Sequence, residues 1–184
     1  MRDDHVIVLD FLSKGKSGDR RAEPIAQVIG EKYFSLLEVI VRHDSEIKQG
    51  DKLYIGQGER KEVDHIKKRI KVGELTNFAR SELPFMIEKM VKDNQEQFVQ
   101  IFNTAQPIST RQHQLELLPG IGKKHMWDII KERKKSQFKD FKELHDRVKL
   151  LPDPIQMIVK RILEELEEDN IRFRLFVAGP PRRF

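Results

Sequence analysis

Cysteine is absent from this chain of 184 residues. Disulfides, thiolate nucleophiles and cysteine-ligated zinc are therefore excluded. No apolar run reaches the roughly 18 residues that a membrane-spanning helix requires. The first residues, Met-Arg-Asp-Asp-His, lack the apolar core of a secretory signal, so a cytoplasmic location without membrane contact is expected. The six histidines (His5, His43, His65, His113, His125, His145) show no metal-ligand spacing, and no His-Glu-x-x-His occurs. A phosphate-cradling P-loop is also missing. Gly15-Lys16-Ser17 has the right ending, but Asp10 stands where the first glycine belongs. No catalytic constellation and no cofactor are expected, and the chain reads as a non-enzyme. Neither sign of charge dominates: 35 Lys and Arg stand against 30 Asp and Glu, a net charge of +5.

What is present is a polar-surfaced globular chain, 38% hydrophobic and 35% charged. Residues 5–12, 24–30, 33–41, 52–55 and 63–72 are rich in β-branched and aromatic residues. Glycine turns separate them, a pattern that predicts a small β barrel over residues 1–73. From Thr76 the apolar period becomes helical. Ser81 is the expected cap of a helix carrying Leu83, Phe85, Ile87, Met90, Val91, Phe98 and Phe102, with Pro84 in its first turn. Residues 74–184 thus form the helical half of an α+β protein. Within it, residues 171–177 alternate apolar and basic, as a returning strand or ordered tail would.

The sharpest motif is Leu115-Glu-Leu-Leu-Pro-Gly-Ile-Gly-Lys-Lys-His-Met-Trp-Asp-Ile-Ile130. An apolar stripe, capped by Ser109 or Thr110, enters a Pro-Gly-Ile-Gly bend, and a second apolar stripe leaves it. Gly120 and Gly122 permit positive φ and close backbone approach. Ile121 between them should turn inward. Amides opening the second helix lack internal partners and sit at the positive end of its dipole, where a phosphate is favoured. Lys123 and Lys124 add charge there, and Arg133, Lys134 and Lys135 follow at the helix end. Between Ser109 and Lys149 eleven Lys and Arg face six Asp and Glu, an excess equal to the whole net charge of +5. A second basic run, Lys67-Lys68-Arg69, lies in the predicted barrel. Tyr54 is its best candidate for stacking on a base, since Leu53 and Ile55 should point the other way.

The segment over residues 111–135 resembles the helix-hairpin-helix motif, which binds nucleic-acid backbone without reading bases. Residues 138–166 resemble a degenerate second copy. Leu150-Leu151-Pro152 repeats Leu117-Leu118-Pro119 at an offset of 33, with Asp153 opposite Gly120 and Ile155 opposite Gly122. Gly50-Asp51-Lys-Leu-Tyr-Ile-Gly56 resembles a strand of oligonucleotide-binding barrels. The whole order resembles an uncharacterised archaeal family that joins an oligonucleotide-binding-like barrel to helix-hairpin-helix repeats. That resemblance implies non-catalytic, sequence-independent nucleic-acid binding, with RNA slightly favoured over DNA. It also implies a possible monovalent cation among the hairpin carbonyls. The alternative is a protein-interaction module in which the hairpin is structural.

Overall fold

The computed structural model describes residues 2–16 and 23–179. Part of the expected loop at residues 13–19, and the last five residues, lie outside that range. The chain is α+β and divides into two compact units, Met1–Met86 with Glu165–Phe184, and Ile87–Glu164. The division falls inside two helices, where a single boundary near residue 73 was expected.

The first unit holds β1 (His5–Leu12), β2 (Ile25–Gly30), β3 (Leu36–Val41), β4 (Lys52–Tyr54) and β5 (Val63–Arg69). They form one antiparallel sheet in the order β4-β1-β2-β3-β5. The sheet curls around Val6, Val8, Ala26, Val28, Val39, Val41, Leu53 and Val63. Because β4 and β5 remain separate edges, it is a half-barrel and not the closed barrel expected. Those edges are protected by brevity in β4 and by charge in β5.

The other face of the central strands is closed by the chain that follows. Buried Gln27 donates its side-chain amide to Glu38 Oε1 at 3.0 Å and to the Glu74 carbonyl at 3.0 Å, and accepts from the Thr76 amide at 2.8 Å. Thr76 then caps α1 (Asn77–Asp93), its Oγ1 accepting from the Ala79 amide at 3.0 Å. Thr76, not Ser81, is therefore the cap, and the Ser81 hydroxyl donates back to the Phe78 carbonyl at 2.8 Å. Pro84 consequently lies inside the helix and not in its first turn. Leu83, Ile87 and Val91 face inward as expected, but Phe85 is 68% exposed.

Residues 171–177 are an ordered tail and not a strand. The amides of Leu175, Phe176 and Val177 all donate to the buried Glu165 carboxylate, at 2.7, 3.0 and 2.8 Å. A carboxylate that takes three successive amides leaves none of them for a sheet ladder.

The second unit contains α2 (Gln95–Thr104), α3 (Lys123–Lys135), α4 (Phe141–Arg147) and the start of α5 (Pro154–Glu167). Its core includes Phe98, Phe102, Leu115, Leu118, Ile129, Phe138, Leu144 and Ile162. The expected first helix of the motif is a single 3-10 turn, Gln114–Leu117. His113 caps it, while Ser109 Oγ accepts from the amides of Arg111 and Gln112 and closes a separate turn. Among the described residues, no helix is long and apolar enough to cross a membrane.

Candidate nucleic-acid interface

The bend begins with Leu118, whose carbonyl accepts from the Ile121 amide at 3.1 Å. Gly120 stands at φ +93°, and a Cβ there would come within 3.1 Å of Pro152 Cγ. Ile121 turns inward as expected and is 6% exposed. Gly122 differs from the expectation. Its φ of −94° and ψ of −177° are extended, so no positive φ is needed there. A Cβ at Gly122 would meet nothing within 4 Å.

What Gly122 supplies is an absence. As the N-cap of α3 it carries no side-chain oxygen to receive the first amides of the helix. The Met126 amide donates to the Gly122 carbonyl at 3.0 Å and opens the helical ladder. The amides of Gly122, Lys123, Lys124 and His125 have no acceptor among the described residues. Gly120, Gly122, Lys123 and Lys124 are exposed. Unfilled donors, a helix dipole and open space thus coincide, the arrangement that holds an oxyanion.

The two lysines have different tasks. Lys123 Nζ bridges Glu116 at 2.9 Å and donates to the Arg111 carbonyl at 2.9 Å, tying α3 to the 3-10 turn. The hydrogen bond from Lys123 holds the Glu116 carboxyl below the usual carboxylate range. Lys124 is exposed and has no ion-pair partner among the described residues. The charge available to a ligand here is therefore chiefly that of Lys124.

The second bend is built otherwise. Asp153 is the residue before α5; its carbonyl accepts from the Met157 amide at 3.0 Å and its Oδ1 from the Ile155 amide at 2.9 Å. By hydrogen-bonding role Asp153 stands opposite Gly122, not opposite Gly120 as the offset of 33 had it. Leu-Pro-Asp is simply two residues shorter than Leu-Pro-Gly-Ile-Gly. The chain's own carboxylate sits where an external anion would bind.

The other sequence candidates are not gathered around the bend. The Arg133 guanidinium donates to the Phe102 carbonyl at 3.1 Å, and burial pulls its pKa down. Lys135 pairs with Glu132 at 2.5 Å, and Lys134 is exposed. Lys67, Lys68 and Arg69 lie on edge strand β5 of the first unit. Lys68 pairs with Glu74 at 2.6 Å, and Arg69 donates to the Ala178 carbonyl at 2.6 Å. The Tyr54 hydroxyl accepts from the Gly58 amide at 3.1 Å, and its ring lies against His5 with centroids 5.3 Å apart. Leu53 and Ile55 do point inward, while half-buried Tyr54 closes a loop with Gly56 and Gly58 against its ring.

Three residues near the bend were missed. Glu116 supports Lys123. His113 Nδ1 accepts from the Leu115 amide at 3.1 Å, and burial, then the nearby Arg133, lowers its pKa. The capping spacing His113-x-x-Glu116 was the legible signal. The third is Trp127, 63% exposed one turn beyond the lysines, a placement that its helical spacing alone discloses. Among the described residues, no group of three or more His, Asp or Glu is arranged to hold a metal ion.

Residues 2–178 match the family described as "Protein of unknown function (DUF655)". The chain belongs to that family. It is 43% identical over 171 residues to the uncharacterized protein MJ0038 of Methanocaldococcus jannaschii, across 92% of this chain and 77% of that protein. It is also similar to the crystal structure of Af1531 from Archaeoglobus fulgidus, a DUF655 structure. There the TM-score is 0.87 and the identity 44%, covering 96% of this chain and all of that one. Both relatives are archaeal.

Proposed function

We propose that this DUF655 protein is a non-catalytic, cytoplasmic nucleic-acid-binding protein that grips phosphate backbone without reading sequence, RNA ahead of DNA. The carrying observation is the set of four unfilled amides from Gly122 to His125, opening outward beside Lys124. Phosphate contacts made by main chain and lysine carry no base information, so affinity should be indifferent to sequence. The bend and α3 are read as a helix-hairpin-helix unit with a shortened first helix. The bend's carbonyls retain lone pairs for a monovalent cation. The half-barrel is read as related to oligonucleotide-binding barrels, whose ligands lie on strands 2 and 3. Here the side chains of β2 are buried throughout and those of β3 nearly so, and we assign binding to the helical unit instead.

A second reading rests on α1. Phe78 and Phe85, 49% and 68% exposed, stand seven residues apart on one helix face and would suit a protein partner. One experiment separates the two. Binding to random-sequence single and double strands of RNA and DNA is measured at two salt concentrations, for the wild type and for the double variant Lys123→Glu, Lys124→Glu. The phosphate reading expects affinity to fall steeply with salt, and the double variant to weaken binding equally across sequences. Salt-independent binding, or a double variant that binds as the wild type does, would leave the protein-partner reading.

A further inference from the structure

Trp127 is the chain's single tryptophan. An indole that is 63% exposed at the middle of a helix is costly to leave in water. No aromatic ring and no cation is stacked on it among the described residues. Its helical neighbours are basic. Lys124, Lys131 and Lys134 lie three, four and seven residues away, all exposed and without ion pairs among the described residues. Side chains on a helix lean toward its N-terminus, so the indole covers the turn that carries Lys123 and Lys124.

The lysines also border an open groove. Lys124, Asp128 and Lys131 of α3 line one side, and His145, Lys149 and Leu150 the other, around about 780 Å³. Cations outnumber carboxylates in it. Of its two carboxylates, Glu132 is already held by Lys135 and Arg147. Leu150 stands at φ +62° with 84% of its surface exposed, a second apolar side chain kept in water. A lysine-bordered channel beside an exposed indole is the combination that non-specific single-strand binding uses: charge follows the backbone while bases stack on aromatic faces.

We infer that Trp127 stacks on an unpaired base and that this surface takes single-stranded RNA in preference to duplex. The inference rests on the backbone-binding reading of the bend and adds strandedness to it. In a duplex the base faces are already stacked, so the indole has nothing to receive it, whereas the phosphates remain available to Lys124.

The test uses the full chain and two probes, an oligouridylate and an RNA duplex of equal length. Complex formation is followed by anisotropy of a label on the RNA and, in parallel, by emission from Trp127. The single strand should quench that emission and the duplex should leave it unchanged. Trp127→Ala should weaken single-strand binding roughly tenfold without altering duplex binding. Trp127→Phe should keep most of the single-strand affinity. Unquenched emission in a single-strand complex that anisotropy reports as formed would overturn the stacking role, as would equal losses on both probes in Trp127→Ala. Neither result would touch the backbone reading. Failure of both RNAs to bind the wild type would overturn the two together.

Discussion

The two bends of the helical unit share a Leu-Leu-Pro lead-in and open helices of 13 and 14 residues, yet they finish their amides differently. At the second, the Asp153 carboxylate accepts from the Ile155 amide, so part of the helix start is closed by the chain's own side chain. At the first, Gly122 has nothing to offer, and four amides face solvent. The energetic difference is small. Replacing an acidic cap by glycine costs only a few tenths of a kcal/mol, whereas replacing it by alanine costs about 1 kcal/mol. Glycine therefore leaves these amides open at almost no cost to the fold. One bend is closed by its own carboxylate, and the other leaves its amides open beside exposed Lys124.

The largest effect that would sharpen this contrast lies at the paired glycines of the open bend. Gly120→Ala forces a side chain into φ +93° and against Pro152. About 1–2 kcal/mol should be lost, lowering the melting temperature by about 2–8 °C. Gly122→Ala places its methyl in open space on an extended backbone, so only the exchange of a glycine cap for an alanine cap should count, less than about 1 kcal/mol and about 1–3 °C. Equal losses in thermal melts of the two variants would break the division of labour between shape at Gly120 and openness at Gly122.

A smaller effect comes from pH. The second bend contains no histidine, but the turn leading into the first is capped by neutral His113. Its pKa is lowered in the fold by burial, with Arg133 adding to the shift. Between the folded value and the unfolded value of about 6.5, the unfolded chain binds more protons. The stabilisation is therefore complete above about pH 6.5 and is lost as pH falls through the lower folded value. His113→Asn keeps an acceptor that does not titrate. Its melting temperature should decline less than the wild type's between neutral pH and about pH 5, and parallel declines would contradict the assignment.

Much of the fold was legible because its signals are local. Strand content and the glycine turns located all five strands to within a few residues. Hydrophobic period placed α3 and the inward turn of Ile121. The errors came where distant residues decided the outcome. Barrel closure depends on whether β4 meets β5, and no period encodes that. Thr76 displaced Ser81 as a cap because its hydroxyl also donates to Asp10, 66 residues earlier, at 2.6 Å. The tail at residues 171–177 alternates like a strand, but Glu165 takes its amides. At the bend the backbone features were legible and the side-chain tasks were not. Sequence put Lys123 and Lys124 together, while only Glu116 separates a staple from a free charge. The alternation around Tyr54 suits a stacking platform, but Gly56 and Gly58, outside that alternation, pack against its ring.

The most direct test converts the open bend into its closed twin. Gly122→Asp places at the start of α3 the carboxylate that Asp153 supplies before α5, with room to accept it. RNA binding by the variant is measured at low salt alongside its melting temperature. The account predicts a melting temperature equal to or slightly above the wild type's and a loss of RNA affinity of at least about tenfold, since the new carboxylate both fills the amides and repels phosphate. A stable Gly122→Asp protein that binds RNA as tightly as the wild type would contradict it.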